Sequence, residues 1–191
     1  MPCFSFSTPA RLCKVGGKLR KLVGSVCSKC YAMKGFYAYA NVKSCLQNRY
    51  DNLYHPDWVQ SMVKLIGGVE GSGHFRWFDS GDLDSLKNLK NIVKVAIALP
   101  HIKFWLPTKE YKIVSEFLKE DKFPDNLNVR LSGYMIDGTI PTAFARKHKL
   151  TMSTVVSSNN FNCPAKNQNN YCLNCRNCWN KEVEVVSYPK H

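Results

Sequence analysis

Between residues 75 and 156 the hydrophobic pattern changes period repeatedly. Phe75, Trp77 and Phe78 read as a short strand, followed by the polar turn Asp79, Ser80, Gly81 and Asp82. Leu86, Leu89, Ile92, Val93, Ala96 and Ile97 then keep helical spacing until Pro100. A strand over 102–106, a helix over 111–118, a strand over 127–131, a short helix over 143–148 and a strand over 150–156 follow. Val183, Val185 and Val186 suggest a last strand. Strand, loop and helix in alternation require crossover connections, and crossovers join parallel strands. Four or five such units are too few for a closed eightfold barrel. The expectation is an α/β fold: a partial barrel or small, mostly parallel sheet with crossover helices.

In such folds chemistry gathers at the carboxyl ends of the strands. The candidate residues there are Asp79, Ser80 and Asp82, then Thr108 and Lys109, then Ser132, then Ser157 and Ser158. The carboxylates could bind a cation, take a proton or orient an amine, and Lys109 could hold an anion. The plainer alternative is an aspartate that only caps the following helix. Upstream, the spacing predicts a helix over 37–54 that uses Cys45 as a packing residue, and a second helix after Pro56. The chain then divides into an irregular cysteine-rich segment (1–35), β/α repeats (74–158) and a cysteine-rich end (159–191), all in one domain.

The cysteines carry the strongest chemical signal. Cys172, Cys175 and Cys178 form two successive Cys-x-x-Cys steps, with Cys163 nine residues upstream. Such a run aims three thiolates at one compact object, and a more distant cysteine completes the set, as a 4Fe-4S cluster needs. Zinc is the alternative, although it more often uses separated pairs or histidines. Cys13, Cys27 and Cys30 form a second or shared set, whose three thiolates would leave one metal position open. They do not match the Cys-x3-Cys-x2-Cys signature of most radical S-adenosylmethionine enzymes. Cys3 and Cys45 fall outside both sets. A disulfide scaffold is a poor reading: nine is an odd number, and the first residues lack the order of an export signal.

The formal charge of +13 suggests an anionic partner, though lysine- and asparagine-rich composition also follows from AT-rich coding. Tyr31, Phe36, Tyr37 and Tyr39 stand among basic residues and could stack on bases; the preferred reading places them in the core. The terminal imidazole of His191 either packs back near the cysteines or frays. No phosphate loop, dinucleotide fingerprint, nucleophile elbow or zinc-protease motif is present, which argues against those enzyme classes. No apolar run reaches membrane-spanning length.

The blocks CKVGGKLRKLVGSVCSKCYAMKGFY, FRWFDSGDL, HIKFWLPTKEY, NLNVRLSGYMIDG and CP…YCLNCRNCW…VSYPKH resemble, in order, the phage-borne gene product eighty-eight family. The CSKCYA block is also similar to phage proteins distantly related to radical S-adenosylmethionine barrels. The resemblance implies a viral protein acting in the cytoplasm of the infected host cell, and it supplies no reaction. By matching position, Cys13, Cys27, Cys30, Cys163, Cys172, Cys175 and Cys178 are its metal-relevant set. The expected function is therefore an iron–sulfur protein engaged in redox, electron-transfer or radical-type chemistry on a small ligand or redox partner. Asp79, Asp82, Lys109 and Ser132 are expected to line its pocket. A zinc-stabilised nucleic-acid-binding module is the alternative.

Overall fold

A computed structural model describes residues 1–190; the expectation for His191 lies outside them. Six strands form one parallel sheet in sequence order: β1 (Ser5–Phe6), β2 (His74–Trp77), β3 (Lys103–Thr108), β4 (Leu127–Ile136), β5 (Thr151–Val156) and β6 (Val185–Pro189). The sheet is open, with β1 and β6 at its edges. The α/β architecture thus agrees with the β–α alternation of the sequence.

Strand register divides the sheet into two chemically different faces. Phe75 pairs with Phe104 and Phe104 with Leu127, while Leu106 pairs with Val129 and Leu131 with Met152. These side chains are buried and form the main core with Trp77. Helices α3 (Trp58–Val69), α4 (Leu86–Ala98) and α5 (Tyr111–Glu120) cover this face, with α4 packed between the other two, and the short helix Thr142–Lys147 adds the buried Ala145. Helix α4 buries Leu89, Ile92, Val93 and Ala96, the stripe read from the sequence. Its N-cap is Ser85, whose Oγ accepts from the Asn88 N–H at 3.1 Å. Asp82 is therefore not the cap, which removes the plain explanation for that carboxylate.

Because strand side chains alternate, the neighbouring positions populate the second face: Arg76, Trp105, Asn128, Arg130, Thr151 and Ser153. No crossover helix covers it. The long β5–β6 connection does so, carrying the C-terminal cysteines. Trp179 donates its indole N–H to the Phe75 carbonyl at 2.9 Å and packs edge-on against Trp105. Asn128 donates to the Cys178 carbonyl at 2.9 Å. Arg130 is fully buried and donates to the carbonyls of Met152 (2.6 Å), Asn177 (3.1 Å) and Val183 (3.1 Å). A guanidinium has five N–H donors, so one side chain can fasten a loop that lacks its own secondary structure.

The N-terminal third departs from the irregular segment expected of residues 1–35. It contributes β1 and helix α1 (Lys14–Leu19), joined to later 3-10 turns. A two-residue strand leaves no period to read. It is recognisable only through its partners, Phe78 N–H donating to the Phe6 carbonyl at 2.7 Å among them. Helix α2 (Ala40–Asp51) is shorter than the predicted 37–54, because residues Gly35–Ala38 form a 3-10 turn. Cys45 is exposed on it, contrary to its expected packing role: α2 buries only Leu46 and has no continuous apolar face.

A cysteine-walled cavity at the strand ends

At the carboxyl ends of the strands, on the face without crossover helices, lies a cavity of about 530 Å³. Cys13, Cys27 and Cys30 line it, as do the four predicted pocket residues Asp79, Asp82, Lys109 and Ser132. Ser157 and Ser158 do not. They continue past β5, where the Ser157 N–H donates to Asp137 at 2.9 Å.

Local backbone geometry builds the wall. At the end of β2, Phe78 adopts φ 53°, a left-handed conformation rare for a bulky residue, which turns the chain sharply into Asp79. Gly81 (φ +88°) passes so close to Thr8 that a Cβ would lie 2.9 Å from the Thr8 carbonyl oxygen. The Ser80 hydroxyl donates to that carbonyl at 3.0 Å. Asp82 then accepts from Thr108 Oγ1 (2.6 Å), Leu83 N (2.8 Å) and Lys109 N (2.9 Å). Burial pushes its carboxyl above the usual range, against the lowering effect of these donors. Asp82 thus ties β2 to β3. Asp79 accepts from the hydroxyls of Ser7 and Tyr37, the latter at 2.8 Å, and its carbonyl accepts from Tyr31.

Lys109 is half-buried on the wall. Among the described residues its ammonium has no hydrogen-bond or carboxylate partner, so its charge faces the cavity. Ser132 Oγ sits 3.3 Å from Ser153 Oγ. It lies next to a register irregularity in the β4–β5 pairing, which lets β4 run on to Ile136. Residues 24–26 zip onto that extension, Val26 N–H donating to Tyr134 O and Ile136 N–H to Gly24 O, both at 2.9 Å. This positions Cys27.

Cys13 is held differently. It precedes α1, whose Val15 N–H donates to the buried Glu110 carboxylate at 2.8 Å. Sequence reading missed Glu110; its position two residues after β3 begins no recognisable motif. Burial, then Asp82 and the neighbouring Cys30 and Cys27, push the Cys13 thiol up to about 12. Burial raises Cys27 as well, with Lys109 opposing it.

The C-terminal cysteines do not line this cavity. Cys163 feels Cys172 and Cys175, and Cys178 feels Cys163, while burial pushes Cys178 up to about 11. Cys178 Sγ lies 3.1 Å from the Tyr188 hydroxyl on β6. Cys3, set aside at the sequence level, has its thiol raised to about 12 by burial and Glu70, with Cys172 also contributing. Cys13 thus responds to Cys27 and Cys30, and Cys163 to Cys172 and Cys175. All nine cysteines are free thiols.

Among the described residues, no three His, Cys, Asp or Glu side chains are gathered closely enough to hold a metal ion. Cys13, Cys27 and Cys30 nonetheless line one cavity. Gly16 runs beside two of them: a Cβ there would sit 3.0 Å from Cys13 Cβ, 3.6 Å from Cys27 Sγ and 3.8 Å from Cys13 Sγ.

The aromatic residues expected in the core are not there. Phe36 is 77% exposed, Tyr39 57% and Tyr31 45%. Tyr31 and Phe36 lie on two short 3-10 turns, Tyr31–Met33 and Gly35–Ala38, Tyr39 follows the second, and Tyr31 lines the cavity. These turns bury a single residue, Ala32, so the chain has no inward face on which to hide its rings.

The Gene product 88 family model matches residues 1–181, and the chain belongs to that family. No curated protein and no solved structure matches it. Among the described residues no helix is long and apolar enough to cross a membrane.

Proposed function

We propose that this member of the Gene product 88 family is a phage-encoded iron–sulfur protein that performs redox or radical-type chemistry on a small ligand held in the strand-end cavity. One observation carries the reading: Cys13, Cys27 and Cys30 line the same cavity as Asp79, Asp82, Lys109 and Ser132. Three thiolates leave one iron of a four-iron cluster without a protein ligand, and that iron would supply the electron-transfer chemistry. This chain's own residues do the rest. Lys109 offers a cation to a carboxylate or phosphate on the ligand. Ser132 and Ser153 present hydroxyls. Asp82, its oxygens already accepting three hydrogen bonds, keeps the β2 and β3 ends in register rather than serving as a free base.

The C-terminal set has a different character. Cys163, Cys172, Cys175 and Cys178 do not line the cavity; we assign their four thiolates to a closed cluster that folds its own loop. The test is anaerobic purification followed by iron, sulfide and zinc analysis and a visible spectrum. About four irons and four sulfides per chain correspond to one cubane, and about eight to two. Cys13→Ala with Cys27→Ala should remove only the cavity-side share, and Cys175→Ala only the other. A colourless protein with zinc and no sulfide would overturn the redox reading and support the zinc-stabilised binding module.

A further inference from the structure

The N-terminal segment that meets the cavity has a charge distribution that the cysteine chemistry does not use. The first fifty residues contain nine Lys and Arg and no Asp or Glu; the first carboxylate is Asp51. Those fifty residues supply α1, the Cys27–Cys30 loop and both aromatic 3-10 turns. Lys29, Lys34 and Lys43, two, two and four residues along the chain from Tyr31, Phe36 and Tyr39, are exposed. Among the described residues none of the three forms an ion pair. Between them stand the exposed rings of Phe36 and Tyr39, edge to face at 5.6 Å, and Tyr31, 5.9 Å from Tyr37. The hydroxyls of Tyr31 and Tyr37 both donate to Asp79, fixing the aromatic ledge to the cavity mouth.

We infer that this ledge is a docking surface for single-stranded nucleic acid. A strand alternates phosphates, which suit unpaired lysines, with flat bases, which suit exposed aromatic faces. An acidic peptide would satisfy the lysines and leave the rings in water. Duplex would offer phosphates while hiding its base faces. The ledge leads to the cavity through Tyr31, so a bound strand lies across its mouth. This inference stands apart from the cysteine reading and does not require a cluster.

The experiment is fluorescence anisotropy of the full chain, as purified with its metal content recorded, against a labelled oligothymidylate at several salt concentrations. Binding should weaken steeply with salt. Phe36→Ala with Tyr39→Ala should weaken it about tenfold or more at fixed salt. Lys29→Ala, Lys34→Ala and Lys43→Ala together should lower the salt slope by about 2, since each single-strand phosphate contact contributes about 0.7. All five positions are exposed, and unchanged melting and metal content will show that the variants fold. Four results would each overturn the inference: no binding of the oligonucleotide at about 50 mM salt, variants that bind as the parent does, duplex bound as tightly as single strand, or binding confined to anionic vesicles.

Discussion

Arg130→Met tests whether a buried cation holds the C-terminal cysteine loop on the sheet. Arg130 has no exposed surface, and among the described residues it has no carboxylate partner. Its acceptors are backbone carbonyls. Three lie within ordinary hydrogen-bond range, at 2.6, 3.1 and 3.1 Å, and two more at 3.3 and 3.5 Å contribute little. Hydrogen bonds to a charged group are worth about 1.5–3 kcal/mol each. Against them stands the desolvation of the guanidinium, several kcal/mol, which methionine would relieve. Asn177 O and Glu184 O also keep backbone donors, Asn180 N at 3.2 Å and Met152 N at 2.7 Å. The balance leaves a net loss of about 3 kcal/mol. For a chain of this size each kcal/mol moves Tm by roughly 2–4 °C, so the melting point should fall by roughly 6–12 °C. Thermal melting by circular dichroism reads this directly, and hydrogen exchange should show lost protection across residues 176–184. Arg130→Lys should recover less than half the difference, because one ammonium cannot reach three separated carbonyls. A methionine variant that melts with or above the parent would refute the reasoning and mean that the burial cost of the guanidinium exceeds its bonds.

Three further outcomes follow from the geometry. Gly81→Ala should cost more than about 2 kcal/mol, since it combines a left-handed φ with a Cβ against the Thr8 carbonyl; denaturant unfolding checks it, and a midpoint shift near zero would contradict the close approach. Gly16→Ala should raise local helix propensity yet lower iron and sulfide loading, because the new methyl crowds the Cys13 side chain and lies beside Cys27; full loading would count against a cluster there. Asp84 supplies a pH dependence. Burial alone would raise its carboxyl, but hydrogen bonds from Tyr54 and Tyr50 and the Lys14 ammonium at 3.4 Å hold it below its ordinary value. Its stabilisation is therefore present at neutral pH and is lost as pH falls through the depressed folded value. Asp84→Asn should melt lower than the parent at pH 7, and the gap should narrow as pH falls below the ordinary aspartate value of about 4; a constant gap would refute the assignment.

Much of this protein could be read without coordinates, and the reasons are local. Helix α4 shows itself because Leu89, Ile92, Val93 and Ala96 repeat at helical spacing. The parallel sheet follows because each strand from β2 to β5 is separated from the next by a helical stretch. Asp79, Asp82, Lys109 and Ser132 were identifiable as neighbours because parallel strands bring their carboxyl ends to one edge. What eluded the sequence depended on contacts between distant residues. Strand β1 is two residues long and exists through its pairing with Arg76 and Trp77. Arg130 looks like any surface arginine until the loop from Asn177 to Glu184 closes over it.

The ranking of the two cysteine sets also turned on tertiary structure. Spacing favours the run from Cys172 to Cys178, because sequence separation is all that a motif records. Cys13 and Cys27 are fourteen residues apart in the chain. They meet at the cavity because Glu110 anchors α1 while the extension of β4 anchors residues 24–26. The exposed aromatics show the same division. Their composition suits a core or a base-stacking surface equally. Only the two 3-10 turns, too short to offer a buried face, leave Phe36 and Tyr39 exposed to solvent. Periodicity and residue chemistry determined the layers and the strand-end edge. Long-range packing decided which thiols face the cavity and which rings face the water.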